Sequence, residues 1–121
     1  MTPYLNPDLP DPIVQGSMVS GANTPASLGV GQPLFFTNAH TELDRANDTL
    51  MMSTSGGESW EPLLQIQHGC SEYTGLVQFK DGRIGAGFDD RGPFGAGYKP
   101  GQNECKMRTN NETFVLVELA K

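Results

Sequence analysis

The sequence predicts an all-β protein made of short antiparallel strands. No stretch repeats apolar residues at helical spacing over a dozen positions, which argues against a helical fold. The 15 glycines and 9 prolines among 121 residues interrupt the chain at short intervals. Seven short runs lie between those interruptions, each bounded by Gly, Pro, Asn or Asp.

Taken in order, the runs are residues 17–20 (SMVS), 34–38 (LFFTN), 49–53 (TLMMS), 63–66 (LLQI), 75–79 (GLVQF), 83–88 (RIGAGF) and 113–119 (TFVLVEL). Their spacing is that of an antiparallel meander. Between the fifth and sixth runs, Asp81-Gly82 is a strong hairpin signal, because a two-residue turn needs positive φ and this pair adopts it readily. A chain of 121 residues suits one ordinary domain.

Charge and hydropathy exclude several classes. The net charge of −6, with no basic cluster, does not suit a nucleic-acid backbone or an anionic membrane surface. No apolar run approaches the ~18 residues of a transmembrane segment. The opening MTPYLNPDLPDP has no apolar centre and does not read as a secretory signal peptide, which leaves the compartment open. Cys70, Cys105, His40 and His68 fit no metal-binding spacing; the cysteines read as ordinary thiols rather than a disulfide, and His40 as a loop residue. Asn47 and Asn111 each open a glycosylation triplet. No cofactor is implied.

The stretch STSGGESW, residues 53–60, reads as a tight turn between two strands. Gly56-Gly57 supplies positive φ, and the hydroxyls of Ser53, Thr54, Ser55 and Ser59 can bond the loop's own backbone. Trp60, the only tryptophan, would cover the turn. Nothing in it pairs a nucleophile with a base, so the turn is expected to be structural.

That stretch resembles the Asp-box of sialidases, Ser-x-Asp-x-Gly-x-Thr-Trp, with Ser53, Gly57, Ser59 and Trp60 in register and Ser55 in place of the Asp. Upstream, LPDPIVQGSMVS and PLFFTNAHTELDRANDTLMMS resemble the sialidase segment that reaches an arginine before the Asp-box strand. Downstream, GCSEYTGLVQFKDGRIGAGFDD is similar to the family's Tyr-Ser-x-Leu strand, hairpin and return strand. The resemblance spans residues 9–119 and implies the C-terminal portion of a six-bladed β-propeller over residues 9–121, with residues 1–8 as an N-terminal extension. Blades of four strands take ~40–50 residues, so the chain supplies two to three of them, short of closure.

The resemblance also implies roles. Arg45 matches the arginine that binds the carboxylate of sialic acid, Tyr73 matches the nucleophile, and Asp89 falls where the family has a Glu that orients another arginine. Thr74 and Gly75 depart from the commoner neighbours of that tyrosine. A tyrosine nucleophile avoids bringing a second carboxylate against the one on the anomeric carbon. If Arg45 and Tyr73 act on one sugar, their tips should lie roughly 4–8 Å apart, with Trp60 more than ~20 Å away at the far end of the strand. Neighbours on a strand alternate faces, so Glu72 is expected to point away from the site. Asp89, Asp90 and Arg91 read as a polar loop.

The implied activity is that of a retaining exo-α-sialidase acting on terminal sialic acids of glycoproteins, glycolipids or oligosaccharides. The family's general-acid Asp, base Glu and first two arginines have no counterpart here, so the chain alone is expected to be inactive and to need the N-terminal blades as partners. The alternative is a non-catalytic Asp-box module that binds glycan or protein.

Overall fold

A computed structural model describes residues 5–102, 105 and 111–119. Seven strands form two antiparallel meanders. The first sheet has the order β1 (Ser17–Ser20), β2 (Leu34–Ala39), β3 (Asp48–Ser53), β4 (Glu61–Gln65), and the second β5 (Ser71–Gln78), β6 (Ile84–Asp90), β7 (Asn111–Val117). A three-residue 3₁₀ turn spans Ala26–Leu28, and among the described residues no helix is long and apolar enough to cross a membrane. A four-stranded and a three-stranded sheet match incomplete propeller blades, and the described residues do not close into a propeller.

Every run read from the sequence is a strand. The largest difference is at β5, which starts at Ser71 rather than 75 because the chain enters it through an isolated bridge from Cys70 to Ala46. The hairpin at Asp81-Gly82 forms as expected: Gly82 has φ 92°, and its N–H donates to the carbonyl of Phe79 at 3.0 Å.

The sheets meet across one apolar core. Phe35, Leu50 and Ile84 are fully buried there, and Val19, Met52, Ile66, Leu76 and Val117 pack around them. Alternation along each strand puts these residues on the facing sides. Side chains also bond across the seam, with Thr74 Oγ1 donating to the carbonyl of Thr37 at 3.0 Å and Leu76 N–H donating to Ser17 Oγ at 3.0 Å.

The turn at 53–60 is held by its own hydroxyls. Ser53 Oγ accepts from the N–H of Gly57 and Ser55 Oγ from the N–H of Ser59, both at 2.9 Å. The Trp60 indole N–H donates to the carbonyl of Gly57 at 3.0 Å, and its ring meets Phe36 edge-on. Asn6 and Asp8 cross over this turn: Asn6 Nδ2 donates to the carbonyls of Gly57 and Glu58, and Asp8 accepts from the N–H of Trp60.

The cysteine reading is overturned. Cys70 and Cys105 form a disulfide, with Cα atoms 5.1 Å apart and both residues buried. Their separation of 35 positions hides the pairing from local sequence, because only the folded chain brings the two Cβ atoms together. Closing a loop of that length restricts the unfolded chain by about 4 kcal/mol in the entropic account.

Asp48, at the start of β3, is fully buried. Thr37 Oγ1 donates to its Oδ1 at 2.7 Å, but Oδ2 has no partner. Burial raises its pKa from 3.8 to about 7. Below about pH 4 the carboxyl is protonated in both folded and unfolded chains. Between about pH 4 and 7 only the unfolded chain ionises, so this group lowers stability as pH rises, and the cost is constant above 7. Chemical denaturation across that range should show the decline in the native chain and not in Asp48→Asn, and the difference between the two isolates this residue.

Candidate functional site

Antiparallel alternation gathers three chain segments at one end of the two sheets. These are the β2–β3 loop (residues 40–47), the entry to β5, and the exit from β6. Backbone bonds tie them together: Ser71 N–H donates to the carbonyl of Arg45 at 3.0 Å, Asn47 N–H to that of Gly69 at 2.8 Å, and Arg91 N–H to that of Cys70 at 3.0 Å. The 53–60 turn and the Asp81-Gly82 hairpin sit at the opposite end. The six residues of β3 separate the ends by about 20 Å.

At the gathered end Arg45 and Tyr73 meet. The guanidinium carbon lies 5.8 Å from the centroid of the Tyr73 ring, in cation–π contact. The Arg45 side chain is 29% exposed and Tyr73 is 47% exposed, so both face solvent.

Glu72 is the residue whose partners sequence reasoning missed. Strand alternation holds from Glu72 onward, with Glu72 buried and Tyr73 exposed, and the register slip against β6 falls between Ser71 and Thr74. Glu72 is buried, and its carboxylate takes two arginines at once. Arg45 Nη1 donates to Oε1 at 3.0 Å and Arg91 Nη2 to Oε2 at 2.7 Å. The Glu72 bond is the main cause that raises the pKa of Arg45, and the Tyr73 hydroxyl adds to it. Arg91, read as part of a polar loop, is instead a mostly buried partner in this cluster, with its side chain 12% exposed.

The other sequence-derived residues make separate contacts. Asp89 stands opposite Glu112 on β7, and the hydrogen bond between the two carboxyl groups raises the pKa of Glu112. The acid that engages Arg45 is Glu72. Ser53, Ser55, Gly57, Ser59 and Trp60 all belong to the opposite end. His40 lines a groove of about 470 Å³ with Leu43, Asp44 and Tyr98, and burial lowers its pKa. Among the described residues no group of three His, Cys, Asp or Glu gathers to hold a metal ion.

No sequence signal nearby marks Glu72 or Arg91, since their partners are 27 and 19 residues away. The arrangement is a partly exposed guanidinium, oriented from behind by a buried carboxylate and flanked by a phenol. It suits a small carboxylate, which the planar guanidinium can meet with two parallel donors.

Breaking the cluster should cost unequal amounts. Removing Glu72 leaves the Arg91 cation buried without its carboxylate, whereas removing Arg45 leaves Glu72 paired with Arg91. In urea denaturation, Glu72→Ala should therefore lose ~3–5 kcal/mol, and Arg45→Ala about 1 kcal/mol or less.

Comparison with known proteins gives a coarse likeness of the chain as a whole. No protein-family model matches the chain. Over 79 residues, 64% of its length, the chain is 32% identical to a sialidase of Micromonospora viridifaciens, of which it spans 12%. The chain is thus similar to a short part of a sialidase.

Proposed function

We propose that this chain carries the carboxylate-binding arginine and the nucleophilic tyrosine of a retaining exo-α-sialidase, within two incomplete blades of a six-bladed propeller. The observation that carries the reading is the placement of Arg45, braced by Glu72, beside the half-exposed Tyr73.

In this reading Arg45 holds the carboxylate of a terminal sialic acid and so sets the anomeric carbon before Tyr73. The phenol oxygen gives its proton to a base and bonds to that carbon, while the glycosidic oxygen leaves with a proton from a general acid. Water then displaces the tyrosine and releases the sugar with its configuration retained. The acid, the base and further arginines come from residues without a counterpart in this chain. Covalent attack by neutral tyrosine keeps two carboxylates from meeting at one carbon.

The second sheet supports an incomplete propeller. Val77, Phe114 and Leu116 share one of its faces and are 44%, 59% and 45% exposed. Gly85 lies between them, and a Cβ there would meet the Phe114 ring at 2.6 Å. A further blade would cover this face.

The test uses the ¹⁵N-labelled chain titrated with N-acetylneuraminic acid and, separately, with its methyl ester. The acid should shift the resonances of Arg45 and Tyr73 and the ester should not. The same chain should show no turnover of a fluorogenic sialoside, since a positioned general acid commonly contributes ~10²–10⁴-fold. Equal response to acid and ester, or shifts confined to the 53–60 turn, would overturn the reading in favour of a non-catalytic binding module.

A further inference from the structure

Arg91 straddles the disulfide. Its backbone N–H donates to the carbonyl of Cys70, its Nη1 donates to the carbonyl of Cys105 at 3.0 Å, and its Nη2 holds Glu72. The carbonyl of the next residue, Gly92, accepts from Cys70 N–H at 2.9 Å. The segment that follows Arg91 then brackets Arg45 through both of its sequence neighbours. On one side, Gly101 N–H and the Tyr98 hydroxyl both donate to the carboxylate of Asp44. On the other, Ala46 packs with Cys70, Cys105 and Phe94 in a small buried cluster. Phe94 in turn stacks on Tyr98 at 3.9 Å between ring centres.

We propose that Glu72 and Arg91 are positioning residues for Arg45, and that the Cys70–Cys105 disulfide is the latch that keeps them engaged. In the oxidised chain Arg45 is presented to an anionic ligand in one orientation; in the reduced chain it is released. Glu72 has two carboxylate oxygens and gives one to each arginine, so it turns only if Arg91 lets go. Arg91 keeps its second anchor only while Cys105 is held against Cys70. Without it, Glu72 gains rotational freedom and Arg45 loses its brace. Opening the latch requires an external dithiol. Exchange breaks the Sγ–Sγ bond, two electrons and two protons go to the cysteines as thiols, and the reductant closes to its own disulfide. Both cysteines are buried, so the bracket must open locally before the reductant reaches them.

The positioning claim needs no ligand; only its consequence for affinity rests on the sialic acid reading. The order of the Arg45 side chain is measured by ¹⁵N relaxation at its Nε–H in the ligand-free oxidised chain, in Cys105→Ser and in Arg91→Gln. Cys105→Ser removes the latch, and Arg91→Gln severs the relay with the disulfide intact, so the second decides the matter if the first fails to fold. Arg45 should be ordered in the oxidised chain and as mobile as an exposed arginine in both variants. Binding of N-acetylneuraminic acid should weaken roughly tenfold in each. Combining the two substitutions should add little to either alone, because both act through one chain of contacts. Unchanged order of Arg45 in Arg91→Gln, or fully additive losses in the double variant, would overturn the proposal. Loss of order in the variants with no binding of the sugar by any form would support the latch and reject the sialidase reading.

Discussion

The gathered end of the molecule depends on one buried carboxylate. Taking Glu72 out of water carries a desolvation cost of several kcal/mol, and two guanidinium groups offset it. Each of those groups comes from a different segment. Arg45 belongs to the β2–β3 loop and Arg91 to the exit from β6, while Glu72 opens β5. The three-way pairing therefore does more than neutralise charge, because it sets the mutual positions of both sheets at the end where Tyr73 is exposed. With one negative and two positive charges, the cluster retains a net positive charge, and its accessible part is Arg45.

Arg45 spans two neighbouring residues at the start of β5. Glu72 and Tyr73 alternate between a buried and an exposed position, as neighbours on a strand do. From its loop, Arg45 reaches the Glu72 carboxylate with its Nη1 and the Tyr73 ring with its face. The register slip against β6 ends at Thr74, which resumes the regular pairing and donates to the carbonyl of Thr37.

The opposite end shows the contrasting design. There the hydroxyls of Ser53 and Ser55 satisfy backbone groups of their own loop, Asp8 accepts from the N–H of Trp60, and the Trp60 ring covers the turn, which presents no reactive pair. The apolar core of Phe35, Leu50 and Ile84 lies between the two ends and joins the sheets without specifying chemistry at either. The self-bonded turn and the Glu72 cluster thus lie about one strand length apart.

The sequence by itself determined the strands, the hairpin and the self-bonded turn, because each follows from residues within a few positions of one another. Glycine and proline punctuation located all seven strands, and Asp81-Gly82 located the tightest turn. Arg45 and Tyr73 were legible only through resemblance, since a lone arginine and a lone strand tyrosine carry no chemical signal of their own. The tertiary structure alone decided the rest. Glu72 with its two arginines, the Cys70–Cys105 bridge and the orphaned Asp48 oxygen all arise from contacts between distant segments. The physical reason is that strand formation is governed by local turn chemistry and alternation. The partners of a buried charge or a half-cystine are set instead by how the sheets and loops pack, which brings Glu72 to its arginines and Cys70 to Cys105.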